Sequence, residues 1–178
     1  MPDPVLLLTG PPGAGKTTTA RLVAARSERA VHLESDVFFH FICAGYVDPW
    51  RSESHQQNTT VMSIAAAAAA GYADAGYFTI VDGIISPRWF FEPLRGALQQ
   101  AGHAVAYAVL RAPLAVCLSR AGDRDASRLS DPAVVEQIWR DFADLGPLDR
   151  HAIDTDGKGA DEVADALAQR LRDGLLMV

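Results

Sequence analysis

Basic charge, cysteine and long apolar runs are all scarce in this chain. Only two of its 178 residues are lysine, Lys16 and Lys158, and the formal net charge is -6, with an isoelectric point near 5.2. Proteins that track a nucleic-acid backbone usually carry a basic face, so a nucleic-acid partner is not expected, although a local basic pocket is still allowed. The two cysteines, Cys43 and Cys117, are too few for a disulfide framework and form no CxxC pair; both are expected to be small buried hydrophobes. His32 and His40 carry no metal-ligand spacing. The opening "MPDPVLLLTG" has no positive n-region, and its apolar run is too short for a signal peptide. No segment approaches the roughly 20 apolar residues of a membrane span. A cytoplasmic protein with no membrane partner is the expectation.

Hydrophobic residues make up 49% of the chain and charged residues 21%, which supports a core and is not a disordered composition. No repeat or linker divides residues 1–178, so they read as a single domain. Strand and helix patterns alternate. "VLLLT" (5–9), "AVHLES" (30–35), "YFTIVDG" (77–83), "HAVAYAVLR" (103–111) and "HAIDT" (151–155) read as strands. Helical patterns cover 16–27, 36–43, about 54–74, 87–100 with Pro87 at its start, 113–120, 131–145 with Asp131 as cap and Pro132 first, and 159–171. The segment 44–50 reads as a loop. This alternation predicts an α/β fold with a parallel sheet and helices on both faces.

One of the two lysines lies in "GPPGAGKT", residues 10–17, which satisfies GxxxxGK[ST] between a strand and a helix. Each part has a chemical reason. Gly10, Gly13 and Gly15 let the backbone around Ala14 fold tightly enough to aim several N–H groups at one phosphate. The following helix, from Lys16 through Thr17 and Thr18, adds its positive dipole end. Lys16 brings a point charge to the β- and γ-phosphates, and Thr17 a hydroxyl to magnesium. The strand "FTIVD" then ends in Asp82, whose carboxylate would hold the magnesium directly or through water; a plain strand-end cap is the alternative.

With "HLESDVFF" and the late segment "SRAGDRDASR", this P-loop resembles the small P-loop kinases: the shikimate and gluconate kinase group and the chloramphenicol phosphotransferase-like proteins. The resemblance implies a three-layer P-loop kinase fold with strand order 2-3-1-4-5, ATP and Mg2+ as cofactors, and a short arginine-bearing lid at about 121–131. It assigns Asp36 to the acceptor hydroxyl as a catalytic residue; a helix N-cap is the bland reading. The lid would bring Arg120, Arg124 and Arg128, spaced i, i+4, i+8, onto the ATP phosphates. Like charges at that spacing repel unless an anion lies between them; the alternative is neutralisation by Asp123, Asp125 and Asp131 on a solvated surface. Asp154 and Thr155 occupy the adenine-contacting position.

Acceptor-side candidates are Asp36, Phe39, Arg51, Gln57, Gly83 and Arg88, with Phe38, Trp50, His55, Asn58 and Trp89 nearby. The glycine triplet of shikimate kinases and the serine-rich P-loop of the chloramphenicol type are both absent, so no particular acceptor follows. The resulting expectation is an ATP- and magnesium-dependent phosphotransferase acting on a small-molecule hydroxyl, as monomer or homodimer. A polynucleotide 5′-kinase and an ATP-hydrolysing module without an acceptor remain the alternatives. If the arginine column contacts phosphate, Arg124→Ala lowers the single-turnover transfer rate by a factor on the order of 10³. A loss confined to stability, with the rate of the folded fraction intact, would place Arg124 on a solvated surface.

Overall fold

Five parallel strands line up in the order β2-β3-β1-β4-β5 in a computed structural model that describes residues 3–122 and 129–178. The strands are β1 (Val5–Thr9), β2 (Ala30–Glu34), β3 (Phe78–Asp82), β4 (Val105–Arg111) and β5 (Ala152–Asp154), and the helices are α1 (Lys16–Ala24), α2 (Ser35–His40), α3 (His55–Asp74), α4 (Phe91–Gln100), α5 (Leu114–Gly122), α6 (Pro132–Asp141) and α7 (Ala160–Arg172). The strand order is the one implied by the kinase resemblance. β1 is buried at every position, as expected of a central parallel strand covered on both faces.

The period-2 alternation of the strands divides the core in two. Leu6, Leu8, Ile80, Ala108 and Leu110 face one layer, where they pack with residues of α1, α5 and α7. Val5, Leu7, Val81, Tyr107 and Val109 face the other, against α3 and α4. The alanine run of α3 supplies buried Ala65, Ala66 and Ala69, whose small side chains let that helix lie close to the sheet. Beyond β5, the chain end completes the exposed edge of β4: Tyr107 N–H donates to the Leu176 carbonyl at 2.8 Å and Val178 N–H to the Val105 carbonyl at 3.1 Å.

Three local expectations need correction. α4 begins at Phe91, not Pro87, because Trp89 N–H donates to the Ser86 carbonyl at 2.9 Å and Phe90 takes a positive φ of 60°; that turn precedes the helix. α2 starts at Ser35 with Glu34 at its N-cap, so Asp36 lies inside the first turn and is not the cap. Cys117 is buried, but Cys43 is exposed, since the chain leaves α2 before reaching it. By contrast, Asp131 caps α6 by accepting from Ala133 N–H, with Pro132 as the first helical residue. Trp139 of that helix donates to the Ala112 carbonyl at 2.9 Å, fastening α6 near the end of β4.

His151 has no solvent exposure, and its Nε2 lies 3.1 Å from Arg150 Nε, which donates to it. Burial first, then the Arg150 charge, hold the imidazole below its ordinary value of 6.5; the Tyr107 backbone opposes them, and the Arg170 charge adds a smaller lowering contribution. The folded state therefore takes up this proton later than the unfolded chain does. The stabilising contribution is complete above about pH 6.5 and is lost as pH falls through the depressed folded value. Urea midpoints should fall between pH 7.5 and pH 5.5, and His151→Gln should flatten that decline; an identical slope in the variant would contradict the assignment.

Candidate active site

The P-loop occupies the carboxyl edge of the sheet because β1 ends there and α1 begins beyond the turn. In open parallel sheets this edge carries the ligand crevice. At Gly13 φ is +83° and an added Cβ would lie 2.6 Å from the Cys117 carbonyl oxygen; at Gly15 φ is +96° but no atom lies within 4 Å. Gly13 is thus required by close packing against α5, and Gly15 by its backbone turn alone. The first intrahelical bond joins Thr19 N–H to the Gly15 carbonyl at 3.0 Å. The amides of Thr17 and Thr18 therefore have no intrahelical acceptor and point out of the helix end. Ala14 is buried within a turn closed by its N–H to the Pro11 carbonyl.

Lys16 Nζ donates to the Gly10 and Pro11 carbonyls at 3.0 and 3.1 Å, so its ammonium lies folded over the loop. Thr17 Oγ1 donates to Asp82 Oδ2 at 2.7 Å, and His32 Nε2 stands 3.3 Å from the same oxygen. Asp82 is only 4% exposed. Burial alone would raise its carboxyl, but the His32 hydrogen bond, the Lys16 charge and the Thr17 hydroxyl together outweigh it and hold the group below the ordinary carboxylate range. A buried, ionised carboxylate beside a threonine hydroxyl is a hard-oxygen pair of the kind that suits magnesium. Arg120 approaches from α5 and donates to the Gly13 carbonyl at 3.3 Å. Arg124 and Arg128 lie outside the described residues.

A cavity of about 1170 Å³ opens at the same edge. Its connection to the P-loop is set by strand register: Glu34 pairs with Asp82 across β2 and β3, and Glu34 and Asp36 both line the cavity. Phe39 and Arg51 also line it, with Trp50, His55, Asn58 and Trp89. Phe39 serves the core as well, at 4% exposure. Asn58 and Ser54 build the wall: Asn58 Nδ2 donates to the Pro49 carbonyl and to Ser54 Oγ, both at 2.8 Å, and the single Ser54 hydroxyl hydrogen is shared between the Pro49 and Arg51 carbonyls, 2.8 and 2.7 Å away.

Three acceptor-side candidates stand elsewhere. Gln57 lies outside the lining of this cavity; its amide clamps the Val47 backbone, accepting from the N–H at 2.8 Å and donating to the carbonyl at 2.6 Å. Gly83 is also outside the lining, and an added Cβ there would meet Ser35 Oγ at 2.0 Å; packing of β3 against α2 requires it. Arg88 does not line the cavity, but its charge acts on Asp141, which does. Asp154 and Thr155 lie at the end of β5, where Thr155 donates its hydroxyl to the Arg111 carbonyl at 3.2 Å and Asp154 offers its carbonyl to Lys158.

Sequence reasoning passed over His32, Tyr46, Asp48 and Asp141. The expected strand order sets β2 beside β3 but not their register, which is what brings His32 to Asp82; no sequence spacing identifies the other three. Among the described residues no cluster of histidine, cysteine or carboxylate side chains could by itself hold a metal ion, and no helix is long and apolar enough to cross a membrane.

The family to which this P-loop and sheet belong is shown by a family model described as an AAA domain, which matches residues 5–145; the chain belongs to that family. No curated protein matches it. Solved structures share the fold. The tunicamycin resistance protein of Deinococcus radiodurans is 24% identical, with 99% of this chain and 98% of that one covered and a TM-score of 0.72. Shikimate kinase from Acinetobacter baumannii, in complex with shikimate, is 22% identical over 97% and 94%, at 0.64. The APS kinase of Mycobacterium tuberculosis, in complex with AMPPNP and APS, is 19% identical over 97% and 99%, at 0.68. Likeness at these identities establishes a P-loop kinase fold, with kinases of small molecules among the neighbours, as the resemblance implied.

The two glycines separate packing from backbone strain. Gly15→Ala should cost about 1–3 kcal/mol, the usual range for a non-glycine residue held at positive φ. Gly13→Ala should cost more, because the Cys117 carbonyl must also move. Urea unfolding of the two variants checks the order, and equal losses would contradict it.

Proposed function

We propose that the protein is an ATP- and magnesium-dependent phosphotransferase that moves the γ-phosphate to a hydroxyl of a small molecule. The observation that carries this reading is the continuity of the Thr17–Asp82 pair, through the Glu34–Asp82 register, with a cavity on whose wall Asp36 lies. A nucleotide switch needs the P-loop but has no use for an adjoining cavity large enough to hold a small molecule.

In this reading the loop from Gly10 to Gly15 and the amides of Lys16, Thr17 and Thr18 cradle the phosphates. Lys16 leaves the Gly10 and Pro11 carbonyls for the β- and γ-phosphates. Thr17 and Asp82 are the residues that would hold magnesium, which when bound supplies neutralising charge to the phosphate oxygens. Arg120, Arg124 and Arg128 serve the transferred phosphate from the lid side, and Asp154 and Thr155 serve the adenine. Asp36 orients the acceptor hydroxyl and takes its proton. The acceptor oxygen forms the new bond to the γ-phosphorus, the bridging bond to the β-phosphate breaks, and ADP leaves with that electron pair. Most of the catalysis is positioning and charge stabilisation. Phe39 and Arg51 contact the acceptor; Gln57, Gly83 and Arg88 support the walls.

Asp36 is the decisive residue because it is neither buried nor a helix cap. Asp36→Asn should leave nucleotide binding and stability close to those of the unmodified protein and should lower transfer to the acceptor about 10²-fold or more, the worth of general-base catalysis. Transfer at a near-normal rate would move the acceptor site away from Asp36.

A further inference from the structure

Of the groups around the Asp82 carboxylate, the proposed transfer gives a task to Thr17 and Lys16 and none to His32. Strand register explains how a β2 residue comes to be there. His32 pairs with Ile80, and Glu34 with Asp82, across β2 and β3. Residues two apart on a strand share a face, so His32, Glu34 and Asp82 all stand on the face of Ile80, which packs with α1. Glu34 lies directly opposite Asp82, but Arg21 of α1 holds it at 2.9 Å. The imidazole instead reaches one pair further toward the carboxyl edge and sets Nε2 at 3.3 Å from Asp82 Oδ2. An ionised carboxylate oxygen only accepts, so Nε2 carries the hydrogen of this bond.

The consequence lies in which oxygen is held. Thr17 Oγ1 also donates to Oδ2, at 2.7 Å, and none of the described residues bonds Oδ1. The last torsion of an aspartate is broad, without sharp staggered wells. A hydroxyl is itself a rotor, so Thr17 alone fixes that torsion weakly. An imidazole N–H has no such rotor: its direction follows the ring, and this ring is only 11% exposed. The two donors together set the carboxylate plane through Oδ2 and leave Oδ1 as the oxygen offered to a cation.

Resting on the assignment of Thr17 and Asp82 to magnesium, we infer that His32 is a positioning residue for that ion: it fixes the Asp82 carboxylate through Oδ2 and so turns Oδ1 toward the cation. In this role it acts through Asp82 and touches neither nucleotide nor acceptor; it is also absent from the lining of the acceptor cavity. A histidine that only filled space beneath α1 would support the loop, but it would not distinguish metal-bound from metal-free nucleotide.

Calorimetric binding of AMPPNP to the whole protein, in magnesium and in EDTA, tests this. By linkage, the factor by which magnesium tightens AMPPNP binding equals the factor by which the protein tightens magnesium binding to the nucleotide. His32→Phe and His32→Ala both remove the donor, the first keeping the bulk. Each should lower that factor about tenfold, the smaller end of what residues holding a metal ligand usually contribute, and leave AMPPNP binding in EDTA within about twofold. His32→Gln, which can return an N–H donor, should recover most of the factor. On an Asp82→Asn background, His32→Phe should change the factor little, because the residue acts only through that carboxylate. Equal weakening in magnesium and in EDTA would make His32 a structural support of the loop and overturn the inference. An unchanged factor in both donor-free variants, no recovery in His32→Gln, or a full effect without the Asp82 carboxylate would also overturn it, while leaving the transfer reading in place. Wild-type AMPPNP affinity that is indifferent to magnesium would overturn the Thr17–Asp82 assignment itself, and the inference with it.

Discussion

The hydrogen bond from Thr17 to the buried Asp82 carboxylate holds this site together. A carboxylate at 4% exposure is costly to keep ionised unless it is paired and hydrogen-bonded. Thr17 supplies a hydroxyl at 2.7 Å, His32 a ring nitrogen at 3.3 Å, and Lys16 a nearby charge. These groups come from α1 and β2, while the carboxylate comes from β3. Satisfying one buried charge therefore fixes the P-loop helix against two strands. It also fixes the ligand edge, because α2 and the cavity wall begin directly after β2.

The wall beyond β2 is built differently. The loop at 44–50 has no regular structure of its own, and α3 imposes its shape. Gln57 replaces a missing strand partner for Val47, and Asn58 with Ser54 gathers the Pro49 and Arg51 carbonyls. Side-chain amides and a hydroxyl thus satisfy backbone groups that this irregular loop would otherwise leave unpaired. The surface so held carries Tyr46, Asp48 and Trp50 at the cavity. The P-loop is a turn set by its own glycines, while this part of the cavity wall is a loop shaped by side chains of α3.

What the sequence made legible follows from how local each feature is. The P-loop is contiguous, so its strand, turn and helix could be read from "LLLTGPPGAGKTTT", and the Asp131–Pro132 helix start was equally local. The strand order followed from the kinase resemblance, because alternation alone does not rank parallel strands. The start of α4 was misplaced because Pro87 is a good first helical residue, whereas the Ser86–Trp89 turn and the positive φ of Phe90 depend on tertiary packing. Gln57 and Gly83 were read as ligand contacts because polar or small residues near a site look alike in sequence; their partners, Val47 and Ser35, lie in other elements. His32 was weighed only as a metal ligand, and Asp48 and Asp141 were not singled out, for the same reason: the β2–β3 register, the path of the 44–50 loop and the packing of α6 bring them to the site.

The fate of the γ-phosphate separates a kinase from an ATP-hydrolysing module. With ATP, magnesium and a panel of sugars, aminocyclitols and alcohol-bearing antibiotics, phosphorus-31 NMR distinguishes a new phosphate monoester from inorganic phosphate. A kinase yields the monoester with one acceptor, in amounts equal to the ADP formed. Inorganic phosphate as the only product, released at a rate indifferent to every alcohol added, would contradict the kinase reading.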